Sequence, residues 1–305
     1  MKILTYGDLD SKDGLVPILD HAFNWIFNQK QSDDFIRIDP RLKNGPVSFC
    51  AVENGKTIGH VGVMDLTTRT LNGNIEYVGG LYGVATLPGH TRKGVCTALM
   101  EKAHEYFTEK HYRFSFLSTS PALIAHSFYE NLGYVDLVEY PSAYKAFHNK
   151  KLKKSKKEKA TGFNPQKILR IYNEFTKERT GFVVRDKAHL NILRKIEGIK
   201  SKQCITDRDG YVVFREDKTG TWIRELVALN QEQMYTLLET IEERTRGPVY
   251  DRAVLDTKLL RVYESRGYMI LQRGYSVMMF KPLAAAASFK QTYGDRFYLS
   301  RLDTF

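Results

Sequence analysis

Two rhythms of apolar and polar positions run along this chain, and the switches between them mark its elements. Leu81 to Leu87 is a mostly apolar run that predicts a buried strand. Beyond it Val95, Ala98, Leu99, Ala103, Tyr106 and Phe107 recur at helical spacing, so a helix with one buried stripe is predicted. Arg113 to Ser118 alternates polar with apolar and predicts a strand, and a short helix leads from there into Ser127-Phe128-Tyr129-Glu130-Asn131-Leu132-Gly133-Tyr134.

The same order returns in the second half. Gly210 to Phe214 and Thr221 to Leu229 predict strands around the turn Asp217-Lys218-Thr219-Gly220, and residues 231–245 predict an amphipathic helix. Val262-Tyr263-Glu264-Ser265-Arg266-Gly267-Tyr268 then repeats the Tyr-Glu-x-x-Gly-Tyr of residues 129–134, followed by Val277-Met278-Met279-Phe280, which suits a final strand. The chain therefore reads as an internal repeat of one mixed α+β unit.

Composition narrows this picture. With 305 residues, 42% apolar and 27% charged, the chain is long enough for two domains with separate cores. No run of 18 apolar residues predicts a membrane span, and the polar N-terminus suggests no leader. Three scattered cysteines, Cys50, Cys96 and Cys204, lack ligand spacing, so no metal site is expected and a reducing, cytoplasmic setting is. The net charge of +11 is concentrated: residues 145–160 hold eight lysines against one glutamate. Without interleaved aromatics this block predicts a solvated linker in preference to a nucleic-acid surface.

The chemistry gathers where the Leu81 strand meets its helix. Thr91-Arg92-Lys93-Gly94-Val95-Cys96-Thr97 forms a basic turn opening the helix. Unpaired amides at a helix start carry about half a positive charge, Arg92 and Lys93 add two more, and Gly94 has no Cβ to keep a ligand away. This arrangement suits a phosphate or diphosphate. It is neither a Walker loop nor Gly-x-Gly-x-x-Gly. Cys96, at the helix start, is expected to pack and not to carry an acyl group.

The turn resembles the Arg/Gln-x-x-Gly-x-Gly/Ala loop of the GNAT superfamily of acetyl-CoA-dependent acyltransferases, with Thr91 in place of Arg or Gln and Cys96 in place of a second small residue. Phe128 to Tyr134 is similar to the Phe-Tyr-Glu-Lys-Leu-Gly-Phe phrase that closes the GNAT core. The second half lacks such a loop: its strand enters the helix through Asn230-Gln231-Glu232-Gln233, without glycine or cation. An active half followed by a degenerate one resembles the enhanced intracellular survival (Eis) type, as do Arg92 to Met100, the strand Ile223 to Leu229, and the aromatic end Arg296 to Phe305. The sterol-carrier-like domain of that branch has no counterpart here, which leaves oligomeric state, a homo-oligomer included, and pocket shape open.

The resemblance implies tandem GNAT folds, each a mostly antiparallel sheet flanked by helices: a catalytic domain at 1–144, the lysine linker at 145–160, a degenerate copy at 161–282 and a tail at 283–305. It implies an N-acetyltransferase that binds acetyl-CoA, with Val84, Ala85 and Thr86 pairing with the pantetheine arm and Thr91, Arg92, Lys93, Gly94, Val95, Cys96 and Thr97 holding the diphosphate. Tyr129 would protonate the departing thiolate, and the carboxylate of Phe305 would accept the amine proton. If Phe305 does not, Glu76, Asp65 or a water chain near His60 stands in for it. The acceptor would be a primary amine on a small molecule, aminoglycoside- or polyamine-like, with Asp303 helping to hold a cation. A protein or peptide lysine in an open groove, and a non-catalytic module binding RNA or protein through the lysine block, are the alternatives.

Overall fold

A computed structural model of the chain describes residues 1–147, 162–196, 198–272 and 274–303. In the first half the strands are β1 (Lys2–Thr5), β2 (Ser48–Glu53), β3 (Lys56–Arg69), β4 (Ile75–Thr86), β5 (Phe114–Thr119), β6 (Val135–Glu139) and β7 (Ser142–Lys145). The helices are α1 (Leu15–Phe23), α2 (Gln29–Ile38), α3 (Val95–Glu109) and α4 (Ile124–Asn131). The second half contributes α5 (Pro165–Thr176), β8 (Thr180–Phe182), α6 (Lys187–Ile196), β9 (Cys204–Thr206), β10 (Gly210–Asp217), β11 (Gly220–Ala228), α7 (Gln231–Arg244), β12 (Val249–Asp251), α8 (Thr257–Ser265) and β13 (Met269–Leu271). β14 (Val277–Pro282), α9 (Phe289–Tyr293) and β15 (Phe297–Leu299) complete the chain.

Two mixed sheets result, the larger in the order β1-β2-β3-β4-β5-β14-β6 and the smaller β13-β7-β12-β11-β10-β9. On one face of the larger sheet, Val95, Leu99 and Phe107 of α3 and Tyr129 of α4 cover Val61, Val63 and Leu81. On the other, Leu15 and Leu19 of α1 pack with Phe27, Tyr6 and Cys50. The smaller sheet repeats this sandwich, with α7 and α8 on one side and α5 and α6 on the other. The predicted strands and helices of both halves thus form, and the fold is of the expected α+β class.

The strand expected to close the second copy closes the first instead. β14 inserts between β5 and β6, pairing Val277 with Thr119 and with Glu139. In exchange β7 inserts between β12 and β13. The physical reason lies in the residues: Val277, Met278 and Met279 are fully buried, so they need a strand on each side and cover on each face. Pro141 separates β6 from β7 and cannot donate to a ladder, which breaks the strand where the chain crosses between sheets. Lys145, counted above with the linker, is a sheet residue: its ammonium donates to the Arg266 carbonyl at 2.6 Å and pairs with Glu242 at 3.3 Å. Residues 148–161, the rest of the lysine block, lie outside the described residues.

Residues 283–303 are folded, not frayed. β15 pairs in parallel with β8, and Tyr293 and Leu299 join Phe114, Phe116, Phe182 and Met278 in one apolar cluster on the larger sheet. Among the described residues no helix is long and apolar enough to cross a membrane.

Candidate active site

The site is built where β4 parts from β5. These parallel neighbours pair only at Gly79–Ser115 and Gly80–Phe116, after which each runs on without the other. On its other side β4 stays paired to β3, but two residues, Gly83 and Val84, stand opposite Val61 alone. This bulge kinks β4 as it leaves β5. Gly83 takes φ +57°, and a Cβ there would meet His60 Cε1 at 3.2 Å. The backbone edge of β4 facing β5, with Val84, Ala85 and Thr86 on it, is left without a strand partner.

The turn after β4 presents amides outward. Arg92 and Gly94 both adopt left-handed conformations, φ +59° and +77°, which turn successive N–H groups toward one side. A left-handed arginine is strained by about 1 kcal/mol or more, and such strain gathers at binding sites. Gly94 caps α3 without any side-chain hydrogen bond, and a Cβ at Gly94 would meet nothing within 4 Å. Among the described residues the amides of Arg92 to Thr97 have no acceptor. The Lys93 ammonium donates to the Gly89 carbonyl at 2.8 Å, and the Thr91 hydroxyl donates to Pro88 at 2.9 Å. Thr91 therefore shapes the turn with its side chain. The orphaned amides and open concavity fit a diphosphate.

Tyr129 and Cys96 converge behind this edge. Tyr129 is 7% exposed, its ring packs edge-on to Tyr134, and burial followed by the nearby Cys96 raises the phenol, so it stays protonated. No hydrogen bond engages its hydroxyl among the described residues. Burial pushes the Cys96 thiol up to about 12, which removes it as a nucleophile. The counterpart Tyr263 is fully buried and donates to Asp251 Oδ2 at 2.9 Å. The second copy closes its other features too. Asn230 caps α7 by accepting from the Gln233 amide at 2.8 Å, and the gap where β11 parts from β12, lined by Glu225, Leu226 and Asp251, holds only about 20 Å³.

On the opposite side of β4 lies a cavity of about 380 Å³ between α1, α2 and the larger sheet. Tyr82 and His60 form its wall nearest the bulge. His60 Nδ1 lies 2.6 Å from the Gly83 carbonyl, which only accepts, so Nδ1 carries the proton. Burial lowers His60 to about 4 and keeps it neutral.

The fallback carboxylates do not gather here. Glu76 is held by two hydrogen bonds from Arg113 Nη2, at 2.6 and 2.9 Å, eight residues or about 27 Å along β4 from Val84. Asp65 lines a separate cavity with His189 and accepts from Tyr106 at 3.4 Å. Asp303 is not free to hold a cation. It accepts from Arg185 at 2.6 and 3.1 Å, with His189 at 3.2 Å, and these partners draw its carboxyl down to about 2 against the cost of burial. Phe305 lies outside the described residues. The aromatic lining Trp25, Phe27 and Phe35 was not singled out in the sequence; the run Trp25-Ile26-Phe27 between two helices was its one signal.

Residues 10–135 match the family model described as acetyltransferase (GNAT) domain, so the chain carries the domain of an acyltransferase enzyme. No curated protein matches. Among solved structures, a GCN5-related N-acetyltransferase from Kribbella flavida is 14% identical with a TM-score of 0.66, over 92% of this chain and 72% of that one. Eis1 from Mycobacterium abscessus is 16% identical with a TM-score of 0.64, over 93% and 74%. A putative acetyltransferase from Pyrococcus horikoshii is 13% identical with a TM-score of 0.58, over 99% and 95%. At these identities the likeness concerns the fold, which runs through both halves of the chain.

Proposed function

We propose that the chain is an N-acetyltransferase that moves the acetyl group of acetyl-CoA to the primary amine of a small molecule by direct attack. GNAT domains in general use this co-substrate. The observation that carries the reading is the open helix start: amides from Arg92 to Thr97 without acceptors, two left-handed residues, and a glycine facing empty space. In the second copy the equivalent helix start is capped by its own Asn230.

Bound acetyl-CoA supplies an activated thioester, so the protein has to orient, polarise and move protons. Amides on the free edge of β4, at Val84 to Thr86, would donate to the developing oxyanion. Tyr129, protonated and unengaged, would give its proton to the departing thiolate. For the amine proton we assign the carboxylate of Phe305, supported by Leu302, which lines the same cavity as His60.

The test is coenzyme A titration by calorimetry. Binding by the wild type, lost at least a hundredfold in Gly94→Glu, is expected, because a carboxylate in the concavity repels a diphosphate. No binding by the wild type sinks the enzyme reading.

A further inference from the structure

The cavity beside the bulge carries more information about the acceptor than the turn does. Its volume is about 380 Å³, and an apolar cavity of about 150 Å³ already holds a benzene-sized molecule. Trp25, Phe27, Phe35, Tyr82, Leu15 and Leu19 line it, with Asn28, Gln31 and Ser32 of α2 and its N-cap adding neutral polar groups. Of the polar atoms among them, the Tyr82 hydroxyl is engaged, donating to the Val47 carbonyl at 3.0 Å. Asp39 is the one carboxylate among the described lining residues. It is 1% exposed and accepts from Arg41 Nε at 3.0 Å, Nη2 at 2.7 Å and the Arg41 amide at 2.9 Å. The pair is therefore electrically closed. His60 adds no charge.

A polycation entering this space would leave several ammonium groups without water and without a carboxylate, each at several kcal/mol. A single amine on an aromatic body faces a different balance. The ring replaces water against aromatic walls, at about 25 cal/mol per Å² of apolar surface. The one amino group needs to reach only as far as the edge of β4. Trp25, which lines the cavity, is itself 46% exposed, so an aromatic ring stands where the cavity meets solvent.

We propose that the acceptor is an arylalkylamine, a single primary amine on a short arm from an aromatic ring, held in the cavity between α1, α2 and β4. This rests on the acetyltransferase reading and replaces the polyamine and aminoglycoside expectation. The cavity is walled on its far side by Leu193 and Leu302 of the second half, so length along the arm is limited.

The experiment is acetylation of phenethylamine, tryptamine, spermidine and kanamycin at saturating acetyl-CoA. The arylalkylamines are expected to exceed both polycations at least tenfold in kcat/KM. Trp25→Ala, a half-exposed position, is expected to raise the phenethylamine KM at least tenfold with coenzyme A affinity unchanged. Binding is read separately in a Trp222→Phe background, where Trp25 is the remaining tryptophan, by its emission during titration with phenethylamine, with and without coenzyme A. A saturable change with phenethylamine and none with spermidine supports the proposal. Equal or better turnover of spermidine or kanamycin, or no change in emission with phenethylamine, overturns it. Failure of coenzyme A to bind would instead remove the acetyltransferase reading, and the emission titration would still judge the cavity.

Discussion

Two tyrosines at equivalent positions show how one side chain serves two purposes. Tyr263 is fully buried with its hydroxyl bonded to Asp251, a carboxyl that burial has pushed up to about 6. Replacing it by phenylalanine leaves Asp251 Oδ2 without the phenol donor, with only the Ala253 amide remaining on Oδ1, and should cost about 1–3 kcal/mol, read as a fall of a few degrees in thermal midpoint. Tyr129→Phe removes a hydroxyl that holds nothing in place. Its midpoint is expected to stay within a degree or so, while kcat falls by about a hundredfold or more, the usual scale for a lost general acid. A Tyr129→Phe variant that turns over normally takes Tyr129 out of the chemistry. The proton acceptor has its own test. Adding one glycine after Phe305, or amidating it, should lower turnover more than tenfold and leave coenzyme affinity alone; unaltered turnover would return the role to water near His60.

At the scale of elements, the β3–β4 bulge couples stability to pH through His60. In the unfolded chain this imidazole titrates near 6.5, whereas in the folded one it waits until about 4. Above pH 6.5 neither state holds the proton and nothing is lost. Between 6.5 and 4 the unfolded state takes a proton the folded state refuses, so stability falls as pH falls. A gap of about 2.5 units corresponds to roughly 3 kcal/mol. His104, lowered in the same direction, adds to this, and Asp251, raised to about 6, opposes it. His60→Asn keeps a donor near Gly83 and removes the titration. Denaturant unfolding at pH 7 and 4.5 should show wild type losing about 2–3 kcal/mol more than this variant, and equal losses would place the acid sensitivity elsewhere. How legible the elements were depended on range. Helix α3, β10, β11 and α7 were readable because periodicity is local, and the turn after β4 because glycine and two cations sit together in sequence. The bulge at Gly83 was not, since it exists only against Val61 on another strand. Nor was the state of Asp303, since Arg185, which neutralises it, lies 118 residues away in the chain.

For the whole molecule, the exchange of β7 and β14 decides whether the two halves are separable. A fragment of residues 1–147 would lack β14, leaving β5 with two paired positions on β4 and β6 with no partner. It would also lose Val277 and Met279 from the core around Tyr129, and Leu302 from the acceptor cavity. The other half would lack β7 between β12 and β13. The first gap cannot close, because Val277, Met278 and Met279 are fully buried, and deleting even a single such residue costs about 2–5 kcal/mol. The second half therefore completes the first: it supplies one strand of the larger sheet, and Leu193 and Leu302 to the cavity. The whole chain is expected to unfold in a single calorimetric transition. Residues 1–147 alone should show none, and co-expression with residues 162–305 should restore both the transition and coenzyme binding. A cooperative, coenzyme-binding fragment 1–147 would mean that the first sheet closes without β14, and the second half would then lose its structural role in the site.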